Sequence, residues 1–508
     1  MQEKNMFNLE DFTGYKECPN QYEPAYIRSS KAVKISETET LITVAIAQTM
    51  MTETAPFLES FHAPKNVNFI AVPDTIFTEF IGNVVETDSD ALTKKGFTPS
   101  RETDRDFSLN DISPSSPVIN IINAICLEAI RRNASDIHIQ PLEQSLRIRF
   151  RLDGVLQTVK TLPAALFPSI ASRIKIMANL NIMEQRQPQD GRMHVTIHSE
   201  PHDLRVSIVP VIHGESIVLR FFNVHGSVMS LEKLGFYSRE LDTLRRAVTI
   251  PNGLVLATGP TGSGKTTTLH SLISEMDCRT KNIITIEDPI ERLLPDINQI
   301  QVNYDINLTF ENMLRRVLRQ DPNVIMVGEI RDTETAELAV RAALTGHILL
   351  STLHTNDSIS AISRLTNMGI EPFLIASVLR YVIAQRLVRK VCNHCKKEVP
   401  TPPFFQELQF PELQKNVGSI PDTVFEETGC DLCNHTGFSG RTVVAEILTV
   451  DTELEKIISS NKSPAEIMEY AASTGMQTIR TCAIQKVTQG ITTINELFRE
   501  ALICNTAV

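Results

Sequence analysis

Apolar residues return along this chain at two spacings, and the changes of spacing divide it into parts. Near the N-terminus, Leu41-Ile42-Thr43-Val44-Ala45-Ile46 and Val67-Asn68-Phe69-Ile70-Ala71-Val72 read as strands, and segments such as Asp74 to Val85 read as helices. They predict a small α/β module in which nothing looks catalytic. Over residues 86–117 the chain turns polar and ends in Asp111-Ile112-Ser113-Pro114-Ser115-Ser116-Pro117, the composition of a linker. A helical period then runs from Val118 through Ile130. After Ala134-Ser135-Asp136-Ile137-His138-Ile139 comes strict alternation in Leu146-Arg147-Ile148-Arg149-Phe150-Arg151, which sends three arginines to one strand face and three apolar side chains to the other. Asp153-Gly154 is a hairpin signal. Leu204 to Val209 and Ser216 to Phe221 add two strands, predicting an α+β domain on an antiparallel sheet that ends near residue 230. From about 231 strands and helices alternate, as a parallel-sheet nucleotide core requires. Residues 442–508 are mostly helical in pattern. The expected domains are therefore 1–110 with its linker, 111–230 and 231–508.

One junction in the last part carries specific chemistry. Gly259-Pro260-Thr261-Gly262-Ser263-Gly264-Lys265-Thr266 is a complete G-x-x-x-x-G-K-[ST] loop. The apolar strand Leu254-Val255-Leu256-Ala257 precedes it, and a helical pattern from Thr267 to Met276 follows. The glycines let backbone N–H groups curl around phosphates, and the helix N-terminus adds partial positive charge. Lys265 is expected at the β- and γ-phosphates of ATP and Thr266 on Mg²⁺.

Three further strands end in polar residues. Ile283 to Ile286 leads into Glu287-Asp288-Pro289, Val324 to Gly328 into Glu329, and Ile348 to Leu353 into His354. In an open parallel sheet such positions line the crevice beyond the strand ends. Glu329 is a candidate to orient and deprotonate the attacking water or to reach Mg²⁺ through water. Glu287 and Asp288 are candidates for the second shell of the metal. His354 is a γ-phosphate sensor, a relay, or a capping or core histidine. His270, behind the loop, is expected to be solvated or packed. Arg315, Arg319 and Arg331 lie near these segments, and for any one of them a surface ion pair is the expected state.

Composition narrows the picture. A chain of 508 residues that is 42% hydrophobic and 21% charged is folded protein of about three domains. Its net charge of −11 speaks against a nucleic-acid motor. No apolar run is long enough to span a bilayer, and the N-terminus lacks a secretory pattern, so a cytoplasmic protein is expected, reaching any membrane only through partners. Among nine cysteines, Cys392, Cys395, Cys430 and Cys433 form two C-x-x-C pairs, which suit a closed tetrahedral Zn²⁺ site of structural character. The wide gap between the pairs requires an insertion to loop out.

Gly259–Thr268, Ile286-Glu287-Asp288-Pro289-Ile290-Glu291, Leu318–Pro322 with Gly328-Glu329-Ile330-Arg331-Asp332, and Leu344–His347 with Ser351–Asn356 together resemble the secretion ATPase superfamily, close to its type II secretion assembly ATPases. Ala134–Ile139 and Pro188-Gln189-Asp190-Gly191-Arg192 extend the similarity upstream, to about residues 112–505. The resemblance implies a RecA-like P-loop ATPase core preceded by a PAS-like α+β domain, with a Cys₄ zinc module at 391–441. It also implies a homo-hexamer. On it, Glu329 matches the Walker B glutamate, and Arg205 and Arg220 match arginines that approach the nucleotide from the preceding domain. Two departures are Gln140 for a usual glutamate and Asn323 for a usual aspartate. The expected partners are an inner-membrane secretion linker protein, bound through residues 1–110, and an inner-membrane platform protein. A type IV pilus assembly ATPase is the alternative, since it shares the catalytic motifs and the tetracysteine. An Arg-Leu-Gly start with repeated Leu, frequent in pilus versions, is missing from residues 1–110.

Overall fold

The computed structural model of the chain describes residues 18, 27, 30–38, 40–62, 65–80, 107–108, 117–197, 200–222, 228–408 and 418–503. Most of the expected linker at 86–117, and Ile81 to Val85 of the expected helix, lie outside them. The chain forms two compact units that divide after Thr103.

In the first unit, β1 (Ala32–Glu37), β2 (Leu41–Ala47) and β3 (Asn66–Val72) form a sheet in that order. β1 and β2 are antiparallel, but β2 and β3 are parallel, so the chain must cross over between them, through the helix Met51–His62. β2 is apolar on both faces because both are covered. Ile42, Val44 and Ile46 pack with Leu58 of that helix, and Ala45 and Ala47 with Phe77 of the helix Asp74–Phe80.

The second unit opens with β4 (Phe107–Ser108), β5 (Asp136–Pro141), β6 (Ser145–Leu152), β7 (Val155–Pro163), β8 (Gln189–Ile197), β9 (Glu200–Val211) and β10 (Gly214–Phe222). They form one sheet in the order β4-β8-β9-β10-β5-β6-β7, antiparallel except where β4 meets β8. The period of two decides its faces. Leu146, Ile148 and Phe150 of β6 are buried under the helices Pro117–Arg131 and Phe167–Met177, while Arg147, Arg149 and Arg151 face the other way. Asp153 and Gly154 both take positive φ, 46° and 85°, as a tight hairpin turn demands.

The core sheet contains β11 (Gly253–Thr258), β12 (Ile283–Glu287), β13 (Asn298–Gln301), β14 (Val324–Val327), β15 (Ile348–Leu353) and β16 (Leu379–Val391). Beyond a ribbon of β17 (Lys397–Pro400) and β18 (Thr423–Glu426), it takes in β19 (Phe438–Thr449). The order is β13-β12-β14-β15-β11-β16-β19, parallel throughout until β19 reverses against β16. Every residue of β11, β12, β14 and β15 is buried, as expected when helices cover both faces. Leu254 and Leu256 feed one core, and Val255 and Ala257 the opposite one.

Helices Thr452–Ser459 and Pro464–Ser473 pack into the first of these cores. Helices Ile479–Thr488 and Ile494–Arg499 close over β16 and β19. The hairpin at Asp153 ties the two sheets of this unit together: its Oδ2 accepts from Gly440 N–H at 3.0 Å, beside Arg441 Nε at 3.7 Å from Oδ1. Among the described residues no helix is long and apolar enough to cross a membrane.

The final helix is held by a buried carboxylate. Glu496 accepts from Arg389 N–H and Nε, each at 2.9 Å, and from Arg499 Nε at 2.7 Å. Burial opposes its charge, yet these donors keep its pKa below the usual carboxyl range. Removing one member of such a group costs about 3–5 kcal/mol. E496Q is therefore expected to lower the thermal unfolding midpoint at neutral pH, and an unchanged midpoint would show that the group adds nothing.

Candidate functional site

The phosphate loop joins β11 to the helix Lys265–Ser274 at the carboxyl rim of the sheet. Gly259, Gly262 and Gly264 take φ of 145°, 79° and 87°, values that side-chain-bearing residues rarely adopt. At Gly259 space is also decisive, because a Cβ there would strike the main-chain carbonyl of Gln385 and Ser263 Oγ. Lys265 folds back along the loop and donates from Nζ to the carbonyls of Gly259 at 2.9 Å and Pro260 at 3.0 Å. Burial lowers its pKa, and Glu329 pulls the other way. Thr266 sits half-buried at the first helical turn, and Pro260, Thr261 and Gly262 form the exposed outer edge.

The parallel ladder brings the strand-end residues to the same rim. Glu329, just past β14, pairs with Arg331 and lies 3.7 Å from His354 Nε2, which follows β15. Burial holds His354 below the usual imidazole range, Lys265 adds to this, and Glu329 opposes it. Lys265, Glu329 and His354 are thus close enough to feel one another's charge. Glu287 differs, because both of its oxygens are already used. His270 Nε2 lies 3.0 Å from Oε2, while Thr285 Oγ1 and Gln299 Nε2 donate to Oε1 at 2.7 and 3.0 Å. Burial opposes its charge, but these partners hold its pKa down. His270 is packed, one of the two states expected of it, and its partner is Glu287. Asp288 stays exposed at the rim and accepts from Tyr304 Oη at 3.3 Å.

From the first sheet of the unit, Arg192, Arg205 and Arg220 come side by side on β8, β9 and β10 in direct register. Arg220 Nε donates to Asp136 Oδ1 at 2.7 Å, so the buried Asp136 aims it. At Glu291, in the loop after β12, burial raises the pKa and Arg220 is among the charges lowering it. Arg205 lines a cavity shared with Phe222, Pro289 and Ile290, again at the meeting of the two sheets. Among the other arginines, Arg315 pairs with Glu311 on its own helix at 2.6 Å. Asn323 uses its side-chain oxygen to accept from Asn282 N–H at 2.7 Å, joining β12 and β14 at the end remote from the site.

Cys392, Cys395, Cys430 and Cys433 converge until all four sulfurs lie within 4.8 Å of one another. Neighbouring pairs stand 3.7–4.0 Å apart. Tetrahedral Zn–S bonds of about 2.3 Å would put sulfurs about 3.8 Å apart, so the donor set fits zinc. N–H groups of Gly429, Cys430 and Gly437 point at these sulfurs from 3.2–3.3 Å, the polarity that thiolates need. The insertion between the knuckles contains the β17–β18 ribbon.

Three further residues, Gln385, Thr258 and Thr355, shape the site without being among those expected there from the sequence. Gln385 is fully buried on β16 and donates from Nε2 to Ser263 O at 2.8 Å; a buried amide in the apolar run Tyr381 to Leu387 was the available signal. Thr258 and Thr355 join their hydroxyls at 2.6 Å, fastening the His354 loop to the strand that carries the phosphate loop. Nothing in their spacing announces that contact.

Residues 111–499 match the family described as Type II/IV secretion system protein. The chain is 44% identical to the type II secretion system protein HxcR of Pseudomonas aeruginosa over 391 residues, covering 77% of this chain and 79% of that one. It is 43% identical to the type II secretion system ATPase E of Vibrio cholerae, covering 79% of each. It is 42% identical to the type IV pilus assembly ATPase PilB of Myxococcus xanthus, covering 78% of this chain and 70% of that one. In fold it resembles the ATPase DotB of Yersinia pseudotuberculosis, with TM-score 0.58 at 21% identity, covering 79% of this chain and all of that one. The pilus retraction motor PilT with bound ADP gives 0.51 at 27%, covering 74% and 95%.

Metal analysis of the purified full chain is expected to find about one zinc per chain, and C433S to lose it. A folded wild-type protein without metal would contradict the cysteine geometry.

Proposed function

The chain belongs to the Type II/IV secretion system protein family and is an ATP hydrolase, and from that premise we propose that it is a hexameric motor powering pseudopilus assembly in a type II secretion system. The observation that carries this reading is the single rim at which Lys265, Glu329 and His354 meet the phosphate loop. In the proposed cycle the amides of Gly262 to Thr266 cradle the phosphates, and Lys265 leaves the carbonyls of Gly259 and Pro260 for the β- and γ-phosphates. Thr266 is the residue to hold Mg²⁺, which would neutralise phosphate charge. Glu329 releases Arg331 and takes the proton of the attacking water, while His354 reads the γ-phosphate. Asp288, open at the rim, is better placed than the saturated Glu287 for the outer shell of the metal.

Arg205 and Arg220 supply positive charge from the preceding sheet, so closing that sheet on the core would couple hydrolysis to movement. Zn²⁺ in the cysteine cluster would act as a structural pin. Residues 1–110 would dock on an inner-membrane linker protein and the core on a platform protein, keeping the chain cytoplasmic and only indirectly on the membrane. A type IV pilus motor is the second reading, supported by the 42% identity to PilB.

Lys265→Ala is expected to abolish ATP turnover without unfolding the chain. E329Q is expected to bind ATP and hydrolyse it at least a hundredfold more slowly, the usual weight of a positioned general base; wild-type single-turnover rates would remove Glu329 from this role. Light scattering with Mg·ATP should give a hexamer. Full-length protein used as bait should capture a secretion-type linker, whereas capture of a pilus platform component would favour the second reading.

A further inference from the structure

The phosphate loop is strapped from behind by a strand that no nucleotide-binding motif includes. β16 runs parallel to β11, and Gln385 sits just past the end of their shared register, where Thr258 pairs with Ala384. Its backbone carbonyl closes on Gly259, and its side-chain amide reaches the other end of the loop. There Nε2 donates to Ser263 O at 2.8 Å, with the whole residue buried. A Cβ at Gly264 would come within 3.3 Å of the same nitrogen, so the amide lies close against Gly264. Gln385 Oε1 finds no hydrogen-bond partner among the described residues, and neither does Ser263 Oγ. Among the described residues, the hydrogen bond this amide makes is thus the one to the Ser263 carbonyl.

That carbonyl matters because a trans peptide is planar and points its C=O and N–H in opposite directions. Fixing Ser263 O toward β16 turns the N–H of Gly264 away from β16, toward the open side of the loop where phosphates are to be held. Gly264 takes φ of 87° and has no side chain of its own to define that plane. We propose that Gln385 is a positioning residue for the nucleotide: it sets the Ser263–Gly264 peptide so that the loop is already shaped for phosphate. This rests on the ATP-site reading above and adds a residue to it.

β16 also gives the strap a second consequence. β16 ends at Val391 and Cys392 follows it directly, and between Gln385 and that end Arg389 is locked to Glu496 and Arg386 donates to Glu500 O at 2.7 Å. The loop's shape is therefore referenced to an element pinned by the cysteine cluster and the final helix, and not to β11 alone.

The test compares full-length wild type, Q385M and Q385E by calorimetric titration with ADP, steady-state ATP hydrolysis, and thermal unfolding with and without ADP. Q385M keeps length and packing but removes the donor. Q385E keeps the shape and sets a carboxylate against the Ser263 carbonyl. The expected result for Q385M is ADP binding weakened about tenfold or more, within the range for one oriented buried hydrogen bond. Its KM for ATP should rise, its nucleotide-free unfolding midpoint should stay near that of wild type, and the rise in that midpoint on adding ADP should shrink. Q385E should be weaker still. Wild-type affinity and KM in Q385M would overturn the proposal. So would a midpoint lowered equally with and without ADP, which marks a purely structural residue. If wild type itself neither bound nor hydrolysed nucleotide, the reading of the site would fail instead, and the two failures are told apart by that control.

Discussion

The parallel hydrogen-bond ladder through β12, β14, β15 and β11 is the constraint on which the rest depends. Because these strands run the same way, their carboxyl ends share one rim, and each of the following residues is delivered there regardless of its distance in sequence. The ladder lasts only because both faces are sealed, which forces apolar side chains in alternation toward two cores. Burying all of β11 leaves the phosphate loop as the first point at which the chain can turn outward, and the loop's glycines turn it.

This explains which parts of the molecule were legible beforehand. The phosphate loop, the strand ends at Glu329 and His354 and the two cysteine pairs are local patterns; the sheet brings the first three to one rim, and the four cysteine sulfurs converge. The alternation at Leu146 to Arg151 was equally plain, because a period of two has one structural meaning when one face is buried. What could not be read was pairing across the fold. Glu287 looked like a rim carboxylate, but its side chain turns inward to His270, Thr285 and Gln299, partners that lie 17, 2 and 12 residues away. Gln385 and Thr355 are similar cases: one acts on the phosphate-loop region from β16 and the other from the loop after β15, and only the three-dimensional register brings them there.

In the proposed cycle, charge would couple the two sheets of the second unit. Arg192, Arg205 and Arg220, which cross-strand register sets side by side on the first sheet, are costly to bring together unless something anionic meets them. Asp136 partly answers Arg220 within the sheet, and the rest of the row faces the loop that carries Asp288, Pro289 and Ile290. A triphosphate at the neighbouring rim would complete that arrangement. Hydrolysis and release would then remove the charge that favours closure, which is the physical requirement for turning chemistry into movement. At the far end of β16, the cysteine cluster and Glu496 hold the strand against which the loop is shaped.

The most direct test of the account is an experimental structure of the full chain with Mg²⁺ and a non-hydrolysable ATP analogue. Phosphates are expected on the amides of Gly262 to Thr266, with Lys265 Nζ moved from the Gly259 and Pro260 carbonyls to the β- and γ-phosphates, and Glu329 and His354 facing the γ-phosphate. Lys265 still bound to the loop carbonyls, with the analogue held elsewhere, would contradict it.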